Sequence, residues 1–330
     1  MNEISDKRIS IIVPTYKRPD KLKRALLYYS RFDLPVFVAD GSPEPYSATL
    51  EGNVRYFHIP SVLICERIYR VLCEVKTEYA CFSADDDFVR PPFLEKAAAL
   101  LDSEASISTV FGRCYTFQER DPRDWNFREP YAKAIEDGNP TERLRSFFSM
   151  YFSLFYTPAR TRVMREIFRE MAHFPTHYMN IVETMHDARI VIEGTVAYLD
   201  EFSNAREGAK EFTAERLEMT GPHDILRKDP LLENELDDIL KKWLPQWKYG
   251  MFRSLILDSW TQWDTRRFKP WIRLVVKIKL AVSSLLGAPL KKRIKKRLPF
   301  LAATPDFDMS TCKDREALLE IQRLVLSTAD

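Results

Sequence analysis

Tyr79-Ala80-Cys81-Phe82-Ser83-Ala84-Asp85-Asp86-Asp87-Phe88-Val89 joins a short apolar run to three adjacent carboxylates. A strand ending this way places oxygen donors at the carboxyl edge of a sheet, where α/β proteins bind ligands. Three like charges at this spacing repel unless a cation, arginines or water separate them. Alone, such a triplet is more often a solvated turn than a metal site, so its meaning depends on what surrounds it.

Upstream, Ile9 to Val13 is a β-branched run closed by Pro14, and Asp20 to Arg31 carries helical spacing through Leu22, Ala25, Leu26 and Tyr29. Pro35 to Ala39 repeats the strand pattern and stops at the turn cluster Asp40-Gly41-Ser42-Pro43. Strand, helix, strand in this order predicts a βαβ unit. Val54 to Ile59 follows as a strand, Val62 to Val75 as a helix and Tyr79 to Ser83 as a strand. Downstream, Pro91-Pro92 opens a helix to about Leu101, and Ile107 to Phe117 is a strand. Gln118 to Pro140 reads as a polar loop. Thr141 to Tyr151 and Pro158 to Met171 read as helices flanking a strand near Phe152 to Tyr156. Met179 to Ile192 is predicted helical with Gly194 as its C-cap, followed by a strand over Thr195 to Leu199. From about Ala214 the pattern is helical.

Composition narrows the function classes. The 330 residues are 45% apolar and 30% charged, enough for a substantial core. Nine glycines stand against twenty prolines, and neither a Walker pattern nor GxGxxG occurs. The five cysteines form no CxxC pair and read as reduced thiols. Met1 to Arg8 is polar and runs into a strand, unlike a secretory signal, and no uncharged apolar run reaches bilayer length. These features predict a cytoplasmic protein. The formal net charge of +2 conceals twelve Lys or Arg between Arg266 and Arg297 with no acid from Thr265 to Pro305, leaving about −10 elsewhere.

In a parallel sheet, Pro14-Thr15-Tyr16-Lys17-Arg18, Asp40-Gly41-Ser42 and the acidic triplet converge on one edge. This gives a base-stacking aromatic, hydrogen-bonding carboxylates and metal ligands in one crevice. A nucleoside diphosphate bridged by Mg²⁺ or Mn²⁺ fits that set, since hard cations keep waters and take remaining ligands from phosphate.

The three motifs Ile9-Ser10-Ile11-Ile12-Val13-Pro14-Thr15-Tyr16-Lys17-Arg18, Val38-Ala39-Asp40-Gly41-Ser42 and Phe82-Ser83-Ala84-Asp85-Asp86-Asp87 resemble the GT-A-fold, family 2-like glycosyltransferases. The resemblance covers about Lys7 to Glu207. It implies an α/β fold with a Rossmann-like, mostly parallel sheet flanked by helices, and an inverting transferase using a nucleotide-sugar donor and a divalent metal. A catalytic domain over 1–207 and a helical C-terminal region over 208–330 are expected. By the resemblance, Pro14, Thr15, Tyr16, Arg18 and Asp40 bind the nucleotide, and Asp85, Asp86 and Asp87 hold ribose and Mn²⁺ or Mg²⁺ through a DxD-type pair. The chain departs from the family at Ala39 and Ala84, positions that are often acidic, so which two aspartates form the pair is open.

Arg67 and Arg70, at i and i+3, are expected to share a helical face toward the same edge, one of them meeting the diphosphate. Inverting transfer needs a carboxylate to take the acceptor proton. The resemblance implies that this base comes from an acidic pair about one helix before a glycine and a final core strand. Glu183 and Asp187, four residues apart before Gly194, fit that place, with Glu183 aligning better by distance from the glycine and Asp187 in reserve. His173 and His177 flank Pro175, which disfavours the helix a zinc pair needs, and His186 reads as a surface histidine.

Trp271, Leu274, Val275, Ile278, Ala281, Val282, Leu285 and Leu286 form one stripe within the basic segment 266–298. Such a helix packs on the catalytic domain or lies on an anionic membrane surface, with Lys291-Lys292-Arg293 and Lys295-Lys296-Arg297 toward lipid. No nucleic-acid-binding motif accompanies it. The combined expectation is a cytoplasmic glycosyltransferase, peripheral on the inner membrane face, taking a UDP-, GDP- or TDP-sugar to a glycan or lipid-linked acceptor in cell-envelope polysaccharide synthesis. A sugar nucleotidyltransferase and a noncatalytic membrane-associated protein with a transferase-like fold are the alternatives.

Overall fold

The computed structural model describes residues 7–50, 52–118, 121–128, 134–149, 151–175, 179–208, 226, 229–244, 250–251, 253–256 and 307–328. Its centre is a mixed sheet in the order β3-β2-β1-β4-β8-β6-β9-β5, with β7 paired to β6. The strands are β1 (Ile9–Thr15), β2 (Val36–Asp40), β3 (Val54–His58), β4 (Tyr79–Phe82), β5 (Phe88–Val89), β6 (Ile107–Gln118), β7 (Asp121–Arg128), β8 (Ala159–Arg160) and β9 (Thr195–Gly208). The first four are parallel to one another. Every residue of β1, β2 and β4 is buried, which explains their continuous apolar runs: helices cover both faces of a parallel sheet, so no solvent face requires alternation.

The helices are α1 (Pro19–Tyr29), α2 (Ile64–Glu74), α3 (Pro91–Ser103), α4 (Pro140–Ser149), α5 (Thr161–Glu170), α6 (Met179–Glu193), α7 (Pro230–Trp243) and α8 (Arg315–Ser327). Prolines stand in the first turn of α1, α3 and α7, where the missing N–H has no partner to lose. On α5, Val163, Met164, Ile167 and Phe168 form the buried stripe at helical spacing. The C-terminal α8 returns to the sheet domain: Arg31 pairs with Glu320 at 3.0 Å, and Trp125 donates to Gln322 at 3.2 Å.

Several expectations are corrected. The polar stretch after Gln118 contains β7, which pairs with β6 through Phe117 and Trp125. Phe152 to Tyr156 is not a strand; its aromatics pack as core, with Phe155 stacked on Phe82 at 4.4 Å, and strand pairing falls to Ala159 and Arg160. The strand expected to stop at Leu199 continues to Gly208 along β6. Gly194 is not a left-handed cap. A Cβ there would stand 2.2 Å from the Ser106 carbonyl, so the glycine permits close strand approach. His186 is 1% exposed rather than at the surface, ringed by Phe82, Phe155 and Phe168. The basic segment 266–298 and His177 lie outside the described residues. No helix among the described residues is long and apolar enough to cross a membrane.

Candidate functional site

Register brings the three motifs together. Thr15 is the lateral partner of Asp40, and Ile12 of Phe82, so the chain leaving β4 reaches Asp85 level with Thr15. Thr15 Oγ1 donates to Asp85 Oδ2 at 2.7 Å, and the Gly41 N–H donates to the Thr15 carbonyl at 3.1 Å. Pro14 is buried in β1 beside Ala39, one residue before the strand ends at Thr15. Lys17 carries φ 55°, a left-handed conformation that costs a non-glycine residue on the order of 1 kcal/mol, and its N–H donates to Ser42 Oγ at 2.8 Å. That turn leaves Tyr16 52% exposed at the mouth of the crevice.

One wall is built on Asp40. Its carboxylate accepts from Tyr56 Oη at 2.6 Å and from the Ser42 N–H at 2.7 Å. Burial, followed by the bond to Asp40, pushes the Tyr56 phenol up to about 12. The Arg67 guanidinium lies directly over Gly41: a Cβ there would sit 1.7 Å from Nη1, so only glycine leaves room. Arg67 is 5% exposed, and its Nε has no hydrogen-bond partner. Burial lowers its basicity, while Asp40 and Tyr16 oppose that. The helix does not bring Arg70 to the same place. Arg70 is on the exposed side, paired with Glu66 one turn earlier.

The acidic triplet forms the opposite wall. Asp85 is fully buried and its carboxyl is pushed up to about 6 by burial, against the pull of Arg18 and Thr15. Arg18 pairs with Asp85 and, at 2.6 Å, with Asp86 Oδ2. Asp87 accepts from the Glu207 N–H at 2.9 Å, and its Oδ2 lies 3.4 Å from Arg206 Nε. Burial pushes Asp87 up to about 7; Arg206 opposes this and Asp86 adds to it. Glu207 is anchored by Lys21 at 2.7 Å and by Arg24, which fixes the end of β9 against the triplet.

No group of three His, Cys, Asp or Glu among the described residues converges on one metal position. The donor chemistry nevertheless fits a divalent ion of the magnesium type, which typically takes one or two carboxylates and fills its shell with phosphate oxygens and water. Asp87 presents that chemistry as a buried carboxylate held by the Glu207 N–H and flanked by Arg206 and the Tyr156 hydroxyl.

The two base candidates separate clearly. Asp187 is fully buried and occupied, accepting from the Leu154 N–H at 3.0 Å and Tyr151 Oη at 3.2 Å, with His186 Nδ1 at 3.0 Å. It ties the segment after α4 to α6. Glu183 has one long contact, from Ser153 Oγ at 3.3 Å. Burial raises its pKa, Arg206 pulls it down, and Asp187 pushes it up. Arg206, its guanidinium 4.2 Å from the Tyr156 ring centre, thus acts electrostatically on both Asp87 and Glu183.

Arg206, Glu207, Tyr56 and Tyr156 are site residues that pattern reading missed. The signal for the first two was the length of β9, whose last residues alternate too weakly to extend a strand by eye.

No family model and no curated protein matches the chain. Among solved structures, S. aureus TarS 1-349 in complex with UDP-GlcNAc superposes with a TM-score of 0.55 at 15% identity, covering 98% of this chain and 89% of that one. S. aureus TarS 1-349 in complex with UDP gives 0.44 at 16% identity, covering 78% and 90%. The first likeness concerns the fold: the chain has a mixed α/β architecture, a large mostly parallel sheet flanked by helices, matching glycosyltransferase structures such as TarS.

Proposed function

We propose that this chain is an inverting, metal-dependent glycosyltransferase that moves a sugar from a nucleotide-sugar donor to a glycan or lipid-linked acceptor in cell-envelope polysaccharide synthesis. The observation that carries the reading is the meeting of three strand ends in one crevice, locked by the Thr15–Asp85 bond of 2.7 Å. The fold likeness to a protein solved with UDP-GlcNAc supports a UDP-sugar as the first donor to try.

In this reading Asp40 and Arg67 face the nucleobase, supported by Tyr56, and Tyr16 stacks on it from the exposed side. The position of Arg67 over Gly41 favours a role at the base over the diphosphate role expected from helical spacing. Asp85 and Arg18 serve the ribose and the α-phosphate. Asp86 and Asp87 would hold a Mn²⁺ or Mg²⁺ ion. When bound, that ion supplies Lewis-acid neutralisation of the leaving group.

Glu183 then takes the proton of the acceptor hydroxyl as that oxygen bonds to the anomeric carbon. The bond from the anomeric carbon to the β-phosphate oxygen breaks, and the electron pair leaves with the nucleoside diphosphate. Arg206, next to both Asp87 and Glu183, stabilises negative charge growing on the diphosphate. The basic segment 266–298 would hold the enzyme at an anionic membrane face, with the sheet domain of 1–207 as the catalytic unit.

Incubation with UDP-, GDP- and TDP-sugars plus Mn²⁺, with release of nucleoside diphosphate as the readout, tests the proposal. Release from at least one donor, lost in Asp87→Asn, is expected. No release and no nucleotide binding would favour the noncatalytic reading.

A further inference from the structure

At the opposite edge of the sheet from the triplet, a cleft of about 450 Å³ lies between the end of α2, the start of β4 and the start of α5. Lys76, Arg160, Arg162 and Arg165 line it against one carboxylate, Glu78, which is itself 3.2 Å from Arg8. None of the four cations pairs with a carboxylate among the described residues. Arg160 donates to the carbonyls of Ile107 at 2.6 Å and Leu101 at 2.9 Å, and Arg165 to those of Leu72 at 3.2 Å and Val75 at 3.1 Å. Carbonyl partners hold these guanidinium groups in place without cancelling their charge. Lys76 and Arg162 are exposed at the rim.

The N-terminus of α5 opens at the same place. No side chain caps it and its first turn contains no acid, while the Thr161 N–H is met by the Glu78 carbonyl at 2.8 Å. Thr161, the first helical residue, lines the cleft, is 3% exposed, and has an Oγ1 without a hydrogen-bond partner. A buried hydroxyl in this state is unfavourable unless a ligand supplies the missing partner.

The geometry points to a second anion site here, built for a tetrahedral phosphate group and held by Lys76, Arg162, Thr161 and the α5 N-terminus. It is separate from the nucleotide crevice, because the four residues of β4 set the two edges about 13 Å apart at ~3.3 Å per residue. The phosphate is either free or the headgroup of a lipid, and the chemistry of recognition is the same.

The test is calorimetric titration of the full chain with inorganic phosphate, with UDP present to fill the crevice. Wild type is expected to bind phosphate at one saturable site. Lys76→Ala/Arg162→Ala, which changes two exposed residues, is expected to weaken it at least tenfold, and Thr161→Val several-fold, with UDP affinity within twofold in all three. Absence of saturable phosphate binding in wild type, or equal binding by the double variant, overturns the proposal. Weaker cosedimentation of the double variant than of wild type with phosphatidic acid vesicles, beyond what the basic segment 266–298 retains in both, assigns the headgroup as the source. Saturable phosphate binding with equal cosedimentation of the two proteins assigns the free anion.

Discussion

At the residue scale, side chains that sequence spacing treats alike stand in different surroundings. Glu183 and Asp187 share a helical face, yet only Glu183 has spare hydrogen-bonding capacity. Glu183→Gln is therefore expected to lower kcat by about 10² to 10⁴ while leaving UDP affinity within twofold, as measured by turnover and calorimetry. Because burial raises its pKa, the acid limb of the kcat profile should lie above the ordinary carboxylate range, with activity rising as pH rises through it. Asp187→Ala should instead destabilise the fold by about 2–3 kcal/mol in urea unfolding, since the Leu154 N–H and Tyr151 hydroxyl lose their acceptor. At Gly41, an added methyl meets the flexible tip of Arg67, so Gly41→Ala should displace the guanidinium and weaken UDP binding about tenfold, with little change in thermal midpoint. Unchanged UDP affinity would remove Arg67 from the site.

At the element scale, the site depends on β1, β4 and β9 ending level with one another. The first two ends were legible in the sequence. Ile9 to Val13 and Tyr79 to Phe82 are unbroken apolar runs because both sheet faces are covered, and the polar residues that follow mark the edge. The end of β9 was not legible, because Asp200, Glu201 and Arg206 interrupt its apolar pattern while their partners come from distant positions: Arg113 and Lys313 for Asp200, Lys96 for Glu201 and Asp87 for Arg206. The burial of His186 was likewise hidden, since its neighbours Phe82 and Phe155 are remote in sequence. Closing β9 over the triplet buries carboxylates, and that has a pH signature. The folded-state pKa values of Asp85 and Asp87 are raised to about 6 and about 7, above an ordinary 3.8. Their contribution to stability is present at low pH and is lost as pH rises through those values. The protein without nucleotide or metal should melt lower at pH 8 than at pH 5.5. Asp87→Asn should raise the midpoint at pH 8, by an amount worth about 1–3 kcal/mol, and flatten the difference. An unaltered pH slope in that variant would mean Asp87 is ionised throughout.

At the scale of the whole molecule, the C-terminal helix belongs to the same packing system as the sheet. Leu318, Ile321, Leu324 and Val325 of α8 are buried, while Asp314 just before it accepts from Arg113 Nε at 2.9 Å and from the Tyr115 hydroxyl at 2.6 Å. This return to the domain was invisible to pattern reading, which saw only helical periodicity late in the chain. Arg113, 5% exposed and bonded to both Asp200 and Asp314, ties β6, β9 and α8 together. In the proposed function this frame presents the carboxylates to a nucleoside diphosphate and a cation. The direct measurement is calorimetric titration of UDP into the wild type and into Asp85→Asn/Asp86→Asn/Asp87→Asn, with and without Mn²⁺. The account predicts that Mn²⁺ tightens UDP binding to the wild type at least tenfold and has no effect on the variant. Equal affinity in wild type and variant, with the same response to Mn²⁺ in both, would contradict it.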